Sequence, residues 1–310
     1  MTQTEDALAL FPGQGSQKIG MGKELAAQSE VARSVFARAD KALGFSLSSI
    51  CFEGPAEKLT LTEIAQPAIL TVSVICFELA KAKLGSALKI VAAAGHSLGE
   101  YSALVAAGAL KFDDAVVLVN KRGRYMQSAV PAGVGKMVAI LGKETAEIEA
   151  AIAKVKSGVA EIANSNAPGQ IVVSGKREAV DECVANLGSV KAIELAVSAP
   201  FHCSLMEPAA VALAKDLDAI SISGAAFPIY ANVSAKAVQS PDEIRDALKR
   251  QVCGQVRWIE SMEHAISERS PKTAIEFGAG NVLSGLLKRI NNTVPRLECG
   301  SLAAVEKLAG

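Results

Sequence analysis

Short apolar runs alternate with longer helical segments along most of the chain. The run ALALF at 7–11 stops at Pro12 and Gly13, which is typical of a buried strand that enters a glycine loop. A second run, KIVAAAG at 89–95, leads into a stretch of small residues with helical composition at 99–108. Because strands and helices alternate, we predict a parallel sheet that is covered by helices on both faces.

The same alternation predicts further elements before residue 131 and after residue 200. In these two parts of the chain the spacing predicts helices over 21–43, 67–83, 113–127, 207–219, 241–252, 258–268, 281–290 and the C-terminus, and strands over 228–233 and 273–277.

The pattern changes between residues 131 and 200. The predicted order there is strand 135–141, helix 143–156, strands 159–165 and 170–175, helix 176–187 and strand 191–197. This β-α-β-β-α-β order is that of ferredoxin-like domains. We therefore predict an α/β fold with a large α/β-hydrolase-like domain, 1–130 and 201–310, built on a central parallel sheet, and a small ferredoxin-like subdomain inserted at 131–200.

Composition and charge restrict the class of protein. The chain has 310 residues, half of them hydrophobic, which is enough for a large buried core. Lysine plus arginine equals aspartate plus glutamate at 32 each, so the chain has no overall field that would attract nucleic acid or an anionic membrane. Six cysteines are scattered without metal-ligand spacing. We expect no metal, no cofactor, no nucleic-acid partner and no membrane partner.

The N-terminal stretch and the most apolar helix bear on location. Two acidic residues precede the first apolar run, which is the wrong order for a signal peptide. The most apolar helical stretch, Ala68 to Ala80, is too short to span a bilayer and contains Glu78. We therefore expect a cytoplasmic protein.

The sequence GHSLG at 95–99 fits the G-x-S-x-G pattern of a nucleophile elbow. In such an elbow the serine occupies a strained turn between a strand and a helix, and the glycines leave room for neighbouring backbone. The run KIV before it and the helix-forming run after it supply that context. Ser97 is therefore a candidate nucleophile, and the alternative is a small-residue turn packed against the sheet.

A serine nucleophile needs a base, and the chain has three histidines. His96 adjoins Ser97, so its side chain should project away from the nucleophile. His264 lies on the polar side of its predicted helix and is expected to be solvated. Elimination favours His202, in SAPFHCSLM, although a histidine packed for structural reasons remains the alternative.

Acyl transfer also requires N–H groups that stabilise an oxyanion. The amide of Leu98, directly after the serine, supplies one by the logic of the elbow, and the loop PGQGSQ at 12–17 can bring a second. A phosphate-binding role for this loop is disfavoured, because Lys18 occupies the place of the third glycine in a dinucleotide fingerprint.

The predicted helix 113–127 carries the basic cluster NKRGRYMQ. A substrate with a free carboxylate would need a bidentate arginine. Charged residues on a helix are more often simply solvated. Sequence spacing does not say which of Arg122 and Arg124 turns inward.

Six motifs together resemble a known family. FPGQGSQ, GHSLGEYSAL, KRGRYMQ, NAPGQIVVSG, VSAPFHCSLM and EFGAGNVLSGLLKRI occur in the order and at about the spacing found in the malonyl-CoA:acyl carrier protein transacylases of bacterial fatty acid synthesis. The resemblance covers essentially the whole chain. It implies ping-pong transfer of malonyl from malonyl-CoA, with release of coenzyme A, to the phosphopantetheine thiol of acyl carrier protein, and it implies a monomer.

The resemblance assigns the reacting groups by position. It implies Ser97 as the acylated nucleophile, His202 as its base and Arg122 as the clamp on the malonyl carboxylate. The backbone amides of Gln14 and Leu98 would form the oxyanion hole.

Further positions follow from the same resemblance. Gln66 and Asn166 correspond to residues that line the family's cleft, and the backbone carbonyl of Gln251 corresponds to the group that orients the histidine in place of an acidic third residue. In the related polyketide acyltransferases, leucine after the serine and a large ring before the histidine accompany malonyl use. Leu98 and Phe201 therefore predict selection of malonyl over methylmalonyl.

Two other functions remain open at this stage. The elbow would also serve a serine hydrolase, although hydrolases of that fold usually carry an acidic triad member and need no arginine clamp. A non-catalytic scaffold that binds carrier protein is the third possibility, which the pair Ser97 and His202 argues against. Lys288 and Arg289 are candidates for contacting an acidic carrier protein.

Overall fold

The computed structural model describes residues 6–197 and 199–309. Residues 1–5, which begin the stretch predicted not to be a signal peptide, lie outside the described residues, as do Ser198 of the VSAPFHCSLM motif and Gly310. The strands of the described ranges are β1 (Ala7–Phe11), β2 (Ile90–Gly95), β3 (Gly135–Leu141), β4 (Ala160–Ala167), β5 (Gln170–Lys176), β6 (Lys191–Glu194), β7 (Ile229–Tyr230), β8 (Ala237–Val238), β9 (Thr273–Phe277) and β10 (Arg296–Cys299).

The helices surround these strands. They are α1 (Lys23–Gln28), α2 (Glu30–Leu43), α3 (Leu47–Glu53), α4 (Ala56–Thr60), α5 (Thr62–Leu84), α6 (Leu98–Ala106), α7 (Phe112–Ser128), α8 (Thr145–Ile152), α9 (Arg177–Asn186), α10 (Glu207–Ala219), α11 (Pro241–Gln251), α12 (Trp258–Arg269), α13 (Val282–Ile290) and α14 (Leu302–Ala309).

The larger sheet has the strand order β10-β9-β1-β2-β7-β8. All of its pairings are parallel except that of β8 with β7. Strands β1 and β9 are buried along their whole length, as expected for parallel strands with helices on both faces. The predicted α/β class with a central parallel sheet is therefore confirmed.

The register of β1 and β2 brings two predicted functional segments together. Phe11, the last residue of β1, pairs with Gly95, the last residue of β2. The loop that begins at Pro12 and the turn that contains Ser97 therefore leave the sheet side by side. Gly13 approaches this turn so closely that an added Cβ would lie 2.4 Å from the carbonyl oxygen of His96. Binding sites of open α/β sheets form at this carboxyl edge.

Helix α5 is the long core helix against which α7 packs. Its interior Pro67 lacks an N–H, so the carbonyl oxygen of Glu63 has no partner within the helix. The side-chain Nδ2 of Asn120, on α7, donates to that oxygen at 2.7 Å. The backbones are close here, because a Cβ on Gly123 would lie 2.5 Å from the Cα of Glu63. This contact fixes the neighbouring Arg122 against α5.

The segment 131–200 forms a second sheet with the order β4-β5-β3-β6, in which all three pairings are antiparallel. The elements follow the predicted β-α-β-β-α-β order, and α8, α9 and the sheet enclose an apolar cluster of their own. This sheet joins the rest of the molecule through Val256, whose amide donates to Ala163 at 2.8 Å and whose carbonyl accepts from Ser165 at 3.0 Å. The division at 131 and 200 stays a prediction.

Some predicted boundaries are wrong for local reasons. The helix predicted over 21–43 is two helices, because Ser29 is extended and its side chain caps α2 by accepting from the amide of Ala32. The helix predicted to start at Pro67 begins five residues earlier, at Thr62. The predicted strands 191–197 and 228–233 are shorter, at Lys191–Glu194 and Ile229–Tyr230. Elements α3, α4, β8 and β10 were not predicted.

The length argument against a membrane span also needs correction. Within the described residues, the segment 62–87 is long and apolar enough to cross a membrane, but 83% of its most apolar window is buried inside the protein. It therefore lies in the core of the protein.

Candidate active site

Ser97 lies in a strained turn between β2 and α6. Its φ of 50° and ψ of −103° are unusual for a residue with a side chain. The flanking glycines are required by contact: a Cβ on Gly95 would lie 1.9 Å from the carbonyl carbon of Gly99, and one on Gly99 would lie 2.0 Å from the carbonyl oxygen of Phe11. The turn therefore has the geometry expected of a nucleophile elbow.

His202 faces the hydroxyl of Ser97. Its Nε2 lies 2.8 Å from the Oγ of Ser97, while its Nδ1 lies 3.0 Å from the carbonyl oxygen of Gln251 and 3.1 Å from that of Gly254. Two carbonyl acceptors place the proton on Nδ1, so Nε2 presents its lone pair to the serine. The predicted pairing of Ser97 with His202, and the contact with the Gln251 carbonyl, are present.

His202 is 4% exposed, and its backbone has a positive φ of 59°. Burial, assisted by the positive charge of Arg122, lowers its pKa to about 3. The ring is therefore neutral near pH 7, which is the state that accepts a proton.

Arg122 turns inward and ends at the serine. Its Nη2 lies 3.1 Å from the Oγ of Ser97 and 3.0 Å from the Oε1 of Gln251, while its Nη1 donates to the Oε1 of Gln66 at 2.8 Å. The residue is 1% exposed, and Arg124 instead pairs with Glu63 on the surface. A buried guanidinium beside a nucleophile is suited to hold a substrate carboxylate.

The two predicted oxyanion donors lie on the adjacent segments. Leu98 begins α6, and Gln14 lies on the loop after β1. Neither backbone amide donates to an acceptor in the part of the chain that the structure describes. Both amides are thus available to an oxygen beside Ser97.

A cleft of about 310 Å³ opens above these groups, between the segment 131–200 and the rest of the molecule. Ser97, His202 and Arg122 line it together with Gln14, Gln66, His96, Leu98, Met126, Met137, Asn164, Leu195, Val197 and Phe201. The wall is mixed, with apolar side chains on both sides of the polar centre. Such a cleft suits a short acyl chain that ends in a charged group.

Asn166 has a different place from the one implied by the resemblance. Its Oδ1 lies 2.7 Å from the Nε2 of His96, and it lines a neighbouring pocket of about 180 Å³ with Gly13 and Gln170. His96 packs at 5.5 Å from the ring of Trp258, and burial lowers its pKa. The Nε2 of His96 is thus engaged with Asn166, in agreement with a structural role.

Three polar side chains beneath the elbow were not predicted from the sequence. The Oδ1 of Asn232 accepts from the amide of Ser97 at 2.6 Å, and the Oε2 of Glu100 accepts from the amide of Asn232 at 2.8 Å. The side chain of Gln251 joins Glu100 to Arg122. The available signals were a glutamate inside the otherwise small and apolar run LGEYSAL and an asparagine that directly follows the strand run PIYA.

The surface cluster at the end of α13 is partly occupied. Arg289 donates to the side chain of Gln170 and to the carbonyl oxygen of Pro168, at 2.6 Å for the latter, and so ties α13 to the β4–β5 turn. Lys288 is exposed.

Comparisons with known proteins agree with this geometry. A model of the acyl transferase domain matches residues 9–297. A malonyl CoA-acyl carrier protein transacylase of Bacillus subtilis is 47% identical over 302 residues, which cover 96% of this chain and 94% of that protein. The chain belongs to the malonyl CoA-acyl carrier protein transacylase family.

Solved structures of the family have the same fold. An acyl carrier protein S-malonyltransferase of Vibrio cholerae superposes with a TM-score of 0.94 at 40% identity and covers 98% of this chain and all of its own. A malonyl-transacylase in complex with a type II PKS acyl-carrier protein also has a TM-score of 0.94 at 40% identity, with 98% of this chain and 99% of that one covered.

Proposed function

We propose that this chain transfers a malonyl group from malonyl-CoA to the phosphopantetheine thiol of an acyl carrier protein through an acyl-serine intermediate. The observation that carries the proposal is the convergence of two side chains on one hydroxyl. The Nε2 of His202 lies 2.8 Å from the Oγ of Ser97, and the Nη2 of Arg122 lies 3.1 Å from it. A base and a carboxylate-binding cation thus share one nucleophile.

In the first half-reaction the Oγ of Ser97 attacks the thioester carbon of malonyl-CoA. The Nε2 of His202 takes the hydroxyl proton, while the amides of Gln14 and Leu98 bind the oxyanion that forms. The C–S bond then breaks, the proton passes from His202 to the departing sulfur, and coenzyme A leaves as a thiol. The product is a malonyl ester of Ser97.

The second half-reaction runs the same steps with a new thiol. The phosphopantetheine thiol gives its proton to His202 and attacks the ester carbon, and the proton returns to the Oγ of Ser97 as the ester bond breaks. The malonyl thioester of the carrier protein is released. Water must stay out of the cleft between the two halves, because it would hydrolyse the ester.

Two side chains account for acyl selection in this proposal. Arg122 pairs with the free carboxylate of malonyl, which acetyl lacks. Phe201 is buried against the cleft, so its ring crowds a methyl group on the α-carbon. A single methyl changes discrimination by about 1–3 kcal/mol, so the second effect is the smaller one.

We also propose the setting in which the enzyme works. We propose a cytoplasmic location, and relatives named malonyl CoA-acyl carrier protein transacylase support a role in fatty acid synthesis. The solved complex of a family member with a carrier protein supports docking of such a protein on this chain. The separate sheet and apolar cluster of the segment 131–200 support its division as an inserted ferredoxin-like subdomain that forms one wall of the cleft.

The fate of the malonyl group separates a transferase from a hydrolase. The assay follows malonyl-CoA, malonyl-carrier protein and free malonate together, with and without holo carrier protein. We expect malonyl-carrier protein as the main product and little malonate when the carrier is absent. Steady release of malonate without carrier would favour the hydrolase, and consumption of neither substrate would favour a non-catalytic scaffold.

A further inference from the structure

Glu100 is a buried carboxylate that the proposed chemistry does not use. It lies three residues after Ser97 on α6 and is 1% exposed. Its Oε2 accepts from the backbone amide of Asn232 at 2.8 Å and from the Nε2 of Gln251 at 3.0 Å. A carboxylate without a direct counter-ion is costly to bury, and here burial raises its pKa to about 7. Its two donors, Asn232 and Gln251, connect it to the nucleophile turn and to Arg122.

The first donor connects Glu100 to both sides of the nucleophile turn. The Oδ1 of Asn232 accepts from the amide of Ser97 at 2.6 Å, and its Nδ2 donates to the carbonyl oxygen of Gly95 at 2.7 Å. Glu100 holds the backbone of Asn232, and the side chain of Asn232 holds the strained turn.

The second donor connects Glu100 to the guanidinium. The Nε2 of Gln251 donates to Glu100 and also to the carbonyl oxygen of Ser97, at 3.0 Å each. Because both neighbours are acceptors, the amide nitrogen must face them, and the Oε1 of Gln251 must face Arg122. That Oε1 accepts from the Nη2 of Arg122 at 3.0 Å.

We propose that Glu100 is a positioning residue that fixes the side-chain amide of Gln251, so that Gln251 holds the Nη2 of Arg122 beside the Oγ of Ser97. This inference rests on the proposed malonyl transfer. Without the carboxylate, the Nε2 of Gln251 keeps one acceptor and its amide can turn. The Nη2 of Arg122 then loses Gln251 as an acceptor, while Nη1 keeps Gln66. Acylation by malonyl-CoA falls more than acylation by acetyl-CoA, because acetyl has no carboxylate to place.

The test compares variants of Glu100 with a variant of Glu276, a second buried glutamate. Glu100→Leu removes the acceptor at similar volume, while Glu100→Gln retains an oxygen for both donors. Glu276→Leu is the control, because Glu276, on β9, is also fully buried and accepts from two backbone amides, those of Leu283 and Ser284, at 3.0 and 2.7 Å. Thermal stability is measured for each variant alongside activity.

The readout is the ratio of the second-order rate constants for acylation by malonyl-CoA and by acetyl-CoA. A loss of folded enzyme lowers both constants equally and leaves this ratio unchanged. We expect Glu100→Leu to lower the ratio about tenfold, toward the value of Arg122→Ala. We expect Glu100→Gln to stay near the wild-type ratio, and Glu276→Leu to lower stability alone.

Gln251→Met supplies a second route if Glu100→Leu does not fold. It removes the amide but keeps the backbone carbonyl that receives His202, so it should lower the ratio to a similar extent. An unchanged ratio in Glu100→Leu or in Gln251→Met, or an equal fall in Glu276→Leu, overturns the inference while the transfer activity stands. A wild-type enzyme that forms no malonyl adduct overturns the proposed function and this inference together.

Discussion

Replacement of Arg122 by alanine tests how the enzyme distinguishes a charged acyl group from a neutral one. The guanidinium is 1% exposed and reaches the Oγ of Ser97 at 3.1 Å, so a malonyl ester on that oxygen lies within its range. Removing one partner of a buried ion pair costs about 3–5 kcal/mol. At about 1.36 kcal/mol for each factor of ten, malonyl transfer should fall by roughly two to four orders of magnitude.

Acetyl transfer should fall far less in the same variant. An acetyl group has no carboxylate to leave unpaired, so Arg122→Ala removes only the contact of Nη2 with the serine hydroxyl and the hydrogen bonds to Gln66 and Gln251. Only the contact with Ser97 touches the reacting oxygen, and a hydrogen bond from a charged group contributes about 1.5–3 kcal/mol, so acetyl transfer should fall by about one to two orders of magnitude, the smaller of the two losses.

The assay is quenched-flow acylation with malonyl-CoA and with acetyl-CoA, each read by intact mass. Arg124→Ala is the matched control, since Arg124 lies on the same helix but is about half exposed, and it pairs with Glu63 at 3.0 Å and donates to the Oδ1 of Asn120 at 2.6 Å rather than reaching the serine. An exposed ion pair contributes about 1 kcal/mol at most, so this variant should acylate normally with both donors. Equal losses of malonyl and acetyl transfer in Arg122→Ala would refute the carboxylate clamp.

Three further predictions follow from single features of the site and its support. Burial lowers the pKa of His202 to about 3, and an imidazole acts as a base above its pKa. The acylation rate constant measured by quenched flow should therefore stay level between about pH 5 and pH 8. A fall in that rate constant with a midpoint near 6.5, the ordinary histidine value, would contradict this. Phe201→Ala opens the cleft, so the ratio of methylmalonyl-CoA to malonyl-CoA acylation should rise about tenfold, and an unchanged ratio would show that the ring does not select. Gly123→Ala places a Cβ 2.5 Å from the Cα of Glu63 and should lower the free energy of unfolding by about 1–3 kcal/mol. The control is Gly285→Ala, where an added Cβ on the helix has nothing within 4 Å, and this variant should leave the free energy of unfolding equal or raise it. Denaturant melts that rank the two variants the other way would refute the close contact of α7 with α5.

Part of the site follows from local sequence because two of its segments lie at the ends of strands. Ser97 and the glycine loop at 12–17 come directly after apolar runs, and parallel strands place their carboxyl ends at one edge. His202 was found by elimination among three histidines. These predictions needed only strand direction and residue chemistry.

The remaining features depend on contacts between distant segments. The inward turn of Arg122 rather than Arg124 is set by the close packing of Gly123 on Glu63, which no helical period reveals. Pro67 lies inside α5 because Asn120 satisfies the carbonyl that the proline leaves free. Residue spacing predicted a helix start at Pro67, because Asn120 lies 57 residues from Glu63 in the sequence and a local pattern does not reveal their contact.

The group beneath the elbow was missed for a related reason. Glu100 reads as an ordinary helical glutamate, and its burial depends on donors from Asn232 and Gln251, 132 and 151 residues further along the chain. Local propensity assigns a glutamate to solvent, and tertiary packing overrides that preference here.

In the proposed reaction, Ser97 carries the malonyl group between two thiols. The most direct measurement is intact mass of the enzyme after exposure to malonyl-CoA alone, followed by peptide mapping and then by addition of holo acyl carrier protein. We expect one malonyl group on Ser97, none on a Ser97→Ala variant, and movement of that group to the carrier. An adduct at another residue, an adduct that survives Ser97→Ala, or no adduct at all would contradict it.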